Sequence, residues 1–143
     1  MAETIAYWGK PELQIEETAN DSDKPITVPA GQIWRVLWIH VELATTATVG
    51  NRQIAIEGRD ASDDIIFSES AGAVQAASLT YTYTCQPGAV REAAFVNGQI
   101  NLPIPPDFIL PAGYDVHIFD SAAVAAAADD MVVQMMVEKR PYT

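Results

Sequence analysis

The chain has 143 residues, of which 49% are hydrophobic and 19% charged, and its formal net charge is −11. This length predicts one domain that buries a core without help from disulfides or metal, and the low share of charged residues favours an oligomer. The excess of acidic residues excludes DNA, RNA and anionic membranes as expected partners, because those surfaces attract Lys and Arg.

Targeting signals and membrane spans are not predicted either. The first residues, MAET, lack the basic and apolar segments of a signal peptide. No apolar stretch approaches the length of a membrane-spanning helix. We therefore expect a protein that is made in a cytoplasm and either stays there or is released by lysis.

The first 25 residues predict an N-terminal arm or edge strand, and residues 26–143 predict the main β-sandwich domain. Ile5, Tyr7 and Trp8 form an isolated apolar cluster, and the later segment TANDSDKP is polar and rich in turn-forming residues. Apolar side chains with no neighbouring core positions are candidates for contact with another chain. These three residues are therefore candidate interface residues.

The strongest strand pattern follows a Pro-Ala-Gly turn at residues 29–31. Proline at the second and glycine at the fourth position favour a type I turn, which leads into QIWRVLWIHVELA at residues 32–44. Regular alternation places Trp34 and Trp38 on one face. Both faces begin apolar, which predicts burial on both sides or one face against a partner. Trp34 and Trp38 are also candidate interface residues, while core packing or sugar stacking explains the same pattern.

Shorter strand patterns fill the rest of the chain, separated by turn signals such as Gly50-Asn51. SLTYTYTC, at residues 78–85, alternates regularly, and the proline-rich residues 100–113 can only form an edge strand or a connection. The alanine run at residues 122–128 leaves open a short helical turn or an irregular loop. About eight strands with little helical periodicity predict an all-β protein, an antiparallel, jelly-roll-like β-sandwich.

No set of residues predicts catalysis, a cofactor or a metal. PAGYDVH resembles part of a cupin motif, but its spacing to His117 is one residue too long, and only His40 is left as a second histidine. Cys85 is the single cysteine and follows an apolar strand face, so we expect a core residue. Asp63-Asp64 and Asp129-Asp130 could bind Ca²⁺ weakly but are more typical of solvated turns.

The order of the segments ITVPAGQIWRVLWIHVEL, VGNRQIAIEGRD, ILPAGYDVHIFD and VVQMMVEKRP resembles the layout of small virion proteins of tailed bacteriophages. It is most similar to capsid decoration, or cement, proteins with a jelly-roll-like β-sandwich. The resemblance implies homotrimers on the outer capsid surface of the virion, bound to the major capsid protein, without catalytic residues. The alternatives are another head or tail structural protein, a carbohydrate-binding sandwich for host attachment, and an enzyme on a β-barrel.

Overall fold

A computed structural model describes residues 7–141, and every regular element in this range is a β-strand. None of the described residues forms a helix that is long and apolar enough to cross a membrane. The strands are β1 (Pro11–Glu16), β2 (Asp23–Thr27), β3 (Gln32–Ala44), β4 (Ile54–Arg59), β5 (Ile65–Ser70), β6 (Thr80–Pro87), β7 (Gln99–Ile104), β8 (Phe108–Leu110), β9 (Asp115–Asp120) and β10 (Asp130–Pro141).

The strands form two sheets that pack as a jelly-roll-like sandwich, which confirms the predicted all-β class. Sheet A has the order β1-β10-β3-β6-β7, and β8 pairs with the first part of β3. Sheet B has the order β2-β9-β4-β5. All pairs are antiparallel except β6 and β7, and the ten strands of the described range exceed the predicted eight. β7, which begins the proline-rich segment and contains Pro103, is an edge strand, as its sequence predicts.

The N-terminal region contributes an edge strand to each sheet. β1 pairs with β10 in sheet A, and β2 pairs with β9 in sheet B. Lys24 in β2 is buried, and its Nζ donates a hydrogen bond to the Thr18 carbonyl at 2.5 Å. The segment between the two strands is thereby tied to sheet B. A separate arm that ends at residue 25 stays a prediction.

The sequence Pro-Ala-Gly occurs at residues 29–31 and again at residues 111–113. The two turns lie side by side and carry the chain between the sheets. The first joins β2 of sheet B to β3 of sheet A, and the second joins β8 of sheet A to β9 of sheet B. Val28 donates to the Tyr114 carbonyl and accepts from the Gly113 amide. In the second turn the Tyr114 amide donates to the Pro111 carbonyl and Gly113 has a φ of 84°, so glycine occupies the third position, as in a type II turn.

A β-bulge changes the facing of the side chains halfway along β3. Val36 and Trp38 pair with the adjacent residues Val137 and Met136, so β3 has one residue more than β10 at this point. One extra residue reverses the alternation of faces beyond it. The prediction that Trp34 and Trp38 share a face is therefore wrong, since Trp34 lies in the core and Trp38 on the outer face.

The core lies between the inner faces of the two sheets. Sheet A supplies alternate residues of its long central strands, and sheet B supplies a smaller aliphatic set. Cys85 is fully buried among them, as predicted, and burial raises the pKa of its thiol. The principal core residues are Trp34, Val36, Ile39, Val41, Leu43, Ile54, Ile56, Tyr83, Leu102, Val116, Ile118, Met131, Val133, Met135 and Val137.

A buried ion pair joins the loops at one end of the sandwich. The side chains of Arg52 and Asp129 are both 0% exposed, with Nε to Oδ2 at 2.8 Å and Nη2 to Oδ1 at 3.1 Å. Arg52 also donates to the carbonyls of Thr48 and Gly50, and Asp129 accepts from the Thr46 amide. Burial alone raises the pKa of Asp129, but these hydrogen bonds hold it below its usual value. The prediction of a solvated turn at Asp129 is wrong, because its carboxylate is fully paired in the interior.

Gln75 extends this buried network into sheet A. Its backbone pairs with that of Arg52, and its Nε2 donates to the Leu43 carbonyl at 2.8 Å. Its Oε1 accepts a 2.7 Å hydrogen bond from the Tyr83 hydroxyl. Because each polar atom of the amide has a partner, the network can stay buried at little cost.

The alanine run after β9 forms turns rather than an α-helix. The Asp120 carboxylate accepts hydrogen bonds from the Gln53 and Ala122 amides, which fixes the start of the loop. The Asp129 amide donates to the Ala125 carbonyl, which closes a single turn at its end. Seven residues are too few for a helix to form without packing.

Replacement of Gly72 by alanine should lower the free energy of unfolding by about 3 kcal/mol, because the new Cβ would overlap the backbone carbonyl of Glu92. Gly88→Ala is the control, since Gly88 has a φ of 76° but nothing within 4 Å of the added carbon. Its cost is the left-handed conformation alone, about 1 kcal/mol. Urea unfolding measures both values, and equal losses would contradict the close packing at Gly72.

Candidate functional site

The outer face of sheet A carries apolar side chains where a two-layer sandwich usually presents polar ones. The register places Leu13 of β1 beside Met136 of β10, and Met136 beside Trp38 of β3. Leu13 is 42% exposed and Ile15, on the same face of β1, is 49% exposed. Trp38 and Met136 are half-buried. We call Leu13, Ile15, Trp38 and Met136 the sheet A patch.

Two arginines and a tryptophan lie on the same outer face, towards the start of β3. The Trp8 ring centroid is 4.5 Å from the Arg35 guanidinium carbon and 5.1 Å from that of Arg140. Cation–π stacking of this kind holds the guanidinium planes against the ring. Arg35 Nε is buried without a hydrogen-bond partner among residues 7–141. Glu138 is the ladder partner of Arg35, so this acidic protein presents two arginines and one acid beside its apolar patch.

The sequence-predicted interface residues fall in different environments. Trp38 belongs to the sheet A patch, and Trp8 stacks on the two arginines. Tyr7 is 78% exposed, whereas Trp34 is 2% exposed and packs in the core. Trp34 is therefore not available on the surface of this chain. Ile5 lies outside the described residues, and an interface role for the others stays a prediction.

The paired tyrosines of β6 are used for packing. Tyr83 is fully buried, and Tyr81 is half-buried. The Phe95 ring lies 4.6 Å from the Tyr81 ring and 5.4 Å from the Tyr83 ring, centroid to centroid. The Phe95 ring therefore covers part of the surface of both tyrosine rings, and a stacked sugar would need that surface.

The outer face of sheet B has a different chemistry, a polar depression of about 590 Å³. Its carboxylates come from the segment before β2, from β2 itself, from the β4–β5 loop and from β9. His117 of β9 contacts the Asp23 carboxylate through Nε2 and stacks on Phe119 at 4.7 Å. We call this the acidic depression; its charged and titratable side chains are Asp21, Asp23, Arg59, Asp63, Asp115 and His117.

Asp115 is the most deeply placed acid of the acidic depression. It is 7% exposed, and its carboxylate accepts no hydrogen bond from the described residues. Arg59 is its neighbour in the ladder but donates to Glu57, at 2.8 Å from Nε and 2.6 Å from Nη2. Burial raises the pKa of Asp115 against the opposing influence of Arg59 and His117.

The two histidines lie on different sheets and cannot share a site. His40 is on the outer face of sheet A in a small hollow of about 190 Å³ with Glu42 and Gln134. His117 is in the acidic depression on sheet B. Among residues 7–141, no three His, Cys, Asp or Glu side chains are placed to hold a metal ion together. The cupin alternative has no geometric basis in this arrangement.

The fold and its surfaces define an all-β sandwich with an apolar face on one sheet and an acidic depression on the other. No family model and no curated protein matches the chain. A solved structure with a likeness to it is described as the structure of infectious bursal disease virus Gx strain, with a TM-score of 0.39 and 8% identity. The likeness covers 95% of this chain and 38% of that chain. At a TM-score below 0.5 it does not assign a function.

Proposed function

We propose that this chain is a non-enzymatic structural protein of a virion, and that it decorates a tailed-phage capsid by binding the major capsid protein. The sheet A patch carries this proposal. Exposed Leu13 and Ile15, with half-buried Trp38 and Met136, leave apolar surface in contact with water on the outer face of the sheet. This contact is unfavourable in free energy, and binding to another protein would remove it.

The composition around the patch is that of a protein interface. Trp, Met and Arg are enriched where proteins meet, and Trp and Arg dominate the residues whose truncation weakens binding most. Here Trp38 and Met136 lie on the same outer face as Arg35 and Arg140. The arginines are fixed by Trp8, so less side-chain freedom is lost when they meet carboxylates of a partner.

The virion context is supported by the sequence, whose segment order resembles phage decoration proteins between about residues 24 and 141. A β-sandwich of this kind can decorate a capsid through surface contacts alone, without a catalytic site.

Co-sedimentation with shells of the phage that encodes the chain tests the proposal. Saturable binding is expected, with no change in tryptophan fluorescence on addition of glycans. Glycan binding without shell binding would favour the host-attachment alternative.

The proposed decoration role also predicts self-association. Light scattering coupled to size-exclusion chromatography should give three times the 15.5 kDa chain mass, because the resemblance implies trimers. Addition of chelator should leave this mass unchanged, since the contacts proposed here involve no metal. A monomer, or an oligomer that dissociates with chelator, would contradict the trimer.

A further inference from the structure

The acidic depression on sheet B gathers more acidic than basic groups. Two of its acids have a partner in the fold, since Lys24 Nζ lies 3.8 Å from the Asp21 carboxylate and His117 contacts that of Asp23. Four carboxylates line it, those of Asp21, Asp23, Asp63 and Asp115, and its one guanidinium belongs to Arg59. That guanidinium bonds to Glu57, which lies beside the depression. Like charges held this close repel one another and favour binding of a positive group.

Asp115 points independently to a ligand. An acidic residue that is more than nine-tenths buried normally has at least one hydrogen-bond partner, because burial of a polar group without one is costly. Asp115 accepts none from the described residues, and its side chain lines the depression. Nδ1 of His117, two residues along the same face of β9, is a buried nitrogen without a hydrogen-bond partner among residues 7–141. The depression therefore contains a hydrogen-bond acceptor, the Asp115 carboxylate, that a donor group of a ligand could satisfy.

The volume of the depression and the positions of its carboxylates indicate which kind of donor group it can bind. A volume of about 590 Å³ falls in the range of small-molecule sites and is far larger than a bare ion needs. The carboxylates approach from four different segments of chain, so they can surround an extended group. Ammonium and guanidinium groups carry several N–H donors and bind carboxylates with charge-assisted hydrogen bonds.

We propose that the acidic depression binds an organic cation through an ammonium or guanidinium group, with Asp115 as its principal acceptor. The cation is either a free amine or a Lys or Arg side chain of another protein, since both present the same chemistry. The site lies on the sheet opposite the sheet A patch. Its occupancy is therefore independent of the proposed capsid contact, and failure of one does not imply failure of the other.

Backbone NMR titration of the full chain tests this site. Agmatine represents the free cation, and a neutral-ended peptide with one internal arginine represents the protein side chain. Tetramethylammonium is the control ligand, because it has the same charge as a single ammonium but no N–H donor. Agmatine should shift the amide signals of Asp115 and His117 saturably, and tetramethylammonium should not. Binding of the peptide as tightly as agmatine would identify a protein side chain as the source.

Asp115→Asn should raise the dissociation constant of agmatine roughly tenfold or more, by loss of a charge-assisted hydrogen bond. The variant should fold, because burial already disfavours the ionised form of Asp115. Asp107→Asn is the matched control with the same loss of charge at an exposed turn, and its affinity should stay unchanged. No saturable shift with agmatine or the peptide, equal shifts with tetramethylammonium, or equal affinities for the two variants would overturn the proposal.

Discussion

Replacement of Arg52 by alanine should lower the free energy of unfolding by about 3–5 kcal/mol, the loss typical of a buried ion pair with one partner removed. Asp129 would remain in the interior without its bidentate partner, and the Thr48 and Gly50 carbonyls would lose their donors. Because these groups fix the loops at one end of the sandwich, the loss should affect the whole domain. Equilibrium unfolding in urea measures the loss in free energy of unfolding. The measurement is made at pH 7, where Asp129 of the wild type is ionised in the folded and the unfolded state.

Arg91→Ala is the matched control, because Arg91 is half-exposed and pairs with Glu69 at 3.2 Å. An exposed ion pair contributes about 0–1 kcal/mol, so this variant should stay close to the wild type. A double variant, Arg52→Met with Asp129→Leu, removes both charges and should recover part of the loss. Equal stability of Arg52→Ala and Arg91→Ala would show that the buried pair does not hold these loops.

Trp38→Glu should weaken binding to the capsid shell by about 30-fold to 1000-fold, equivalent to 2–4 kcal/mol at a central interface residue. The substitution places a charge beside Met136 in the sheet A patch and removes the largest apolar side chain there. The fold should persist, because Trp38 lies on the outer face and contributes nothing to the core. Co-sedimentation over a range of concentrations gives the affinity, and the unfolding midpoint reports the fold.

Ile65→Glu is the control for Trp38→Glu. Ile65 is 56% exposed on β5 of sheet B, away from the patch, so the same added charge should leave shell binding unchanged. Trp38→Phe should retain most of the affinity because it keeps an aromatic ring on the outer face. Wild-type affinity in Trp38→Glu, or a loss only in Ile65→Glu, would place the contact elsewhere.

The fold class follows from sequence because strand patterns, proline and turn residues act locally. The alternation at residues 78–85 predicts β6, and the proline-rich segment that begins in β7 predicts an edge strand, as the structure contains. The bulge in β3 could not be predicted in this way. Its sequence alternates without a break, and the extra residue is defined only by the pairing of Val36 and Trp38 with β10. For that reason the facing of Trp38 had to come from the structure.

The polar sites depend on residues that are far apart in the chain. Arg52 and Asp129 are separated by 77 positions, and in sequence Asp129 reads as half of a solvated acidic pair. Asp115 likewise sits in an alternating run where a polar residue is expected to face solvent. What distinguishes these carboxylates is burial and the presence or absence of a donor. Neither property is encoded by the local pattern, so sequence reasoning missed both.

Hydroxyl-radical footprinting of the protein, free and bound to shells, tests most directly whether the sheet A patch is the contact surface. Trp38 and Met136 should be oxidised in the free protein and protected on the shell. Met131 and Met135 are fully buried and should stay unreactive in both states, while Phe119 on the outer face of sheet B should react in both. Equal oxidation of Trp38 and Met136 in the free and bound protein would contradict the account.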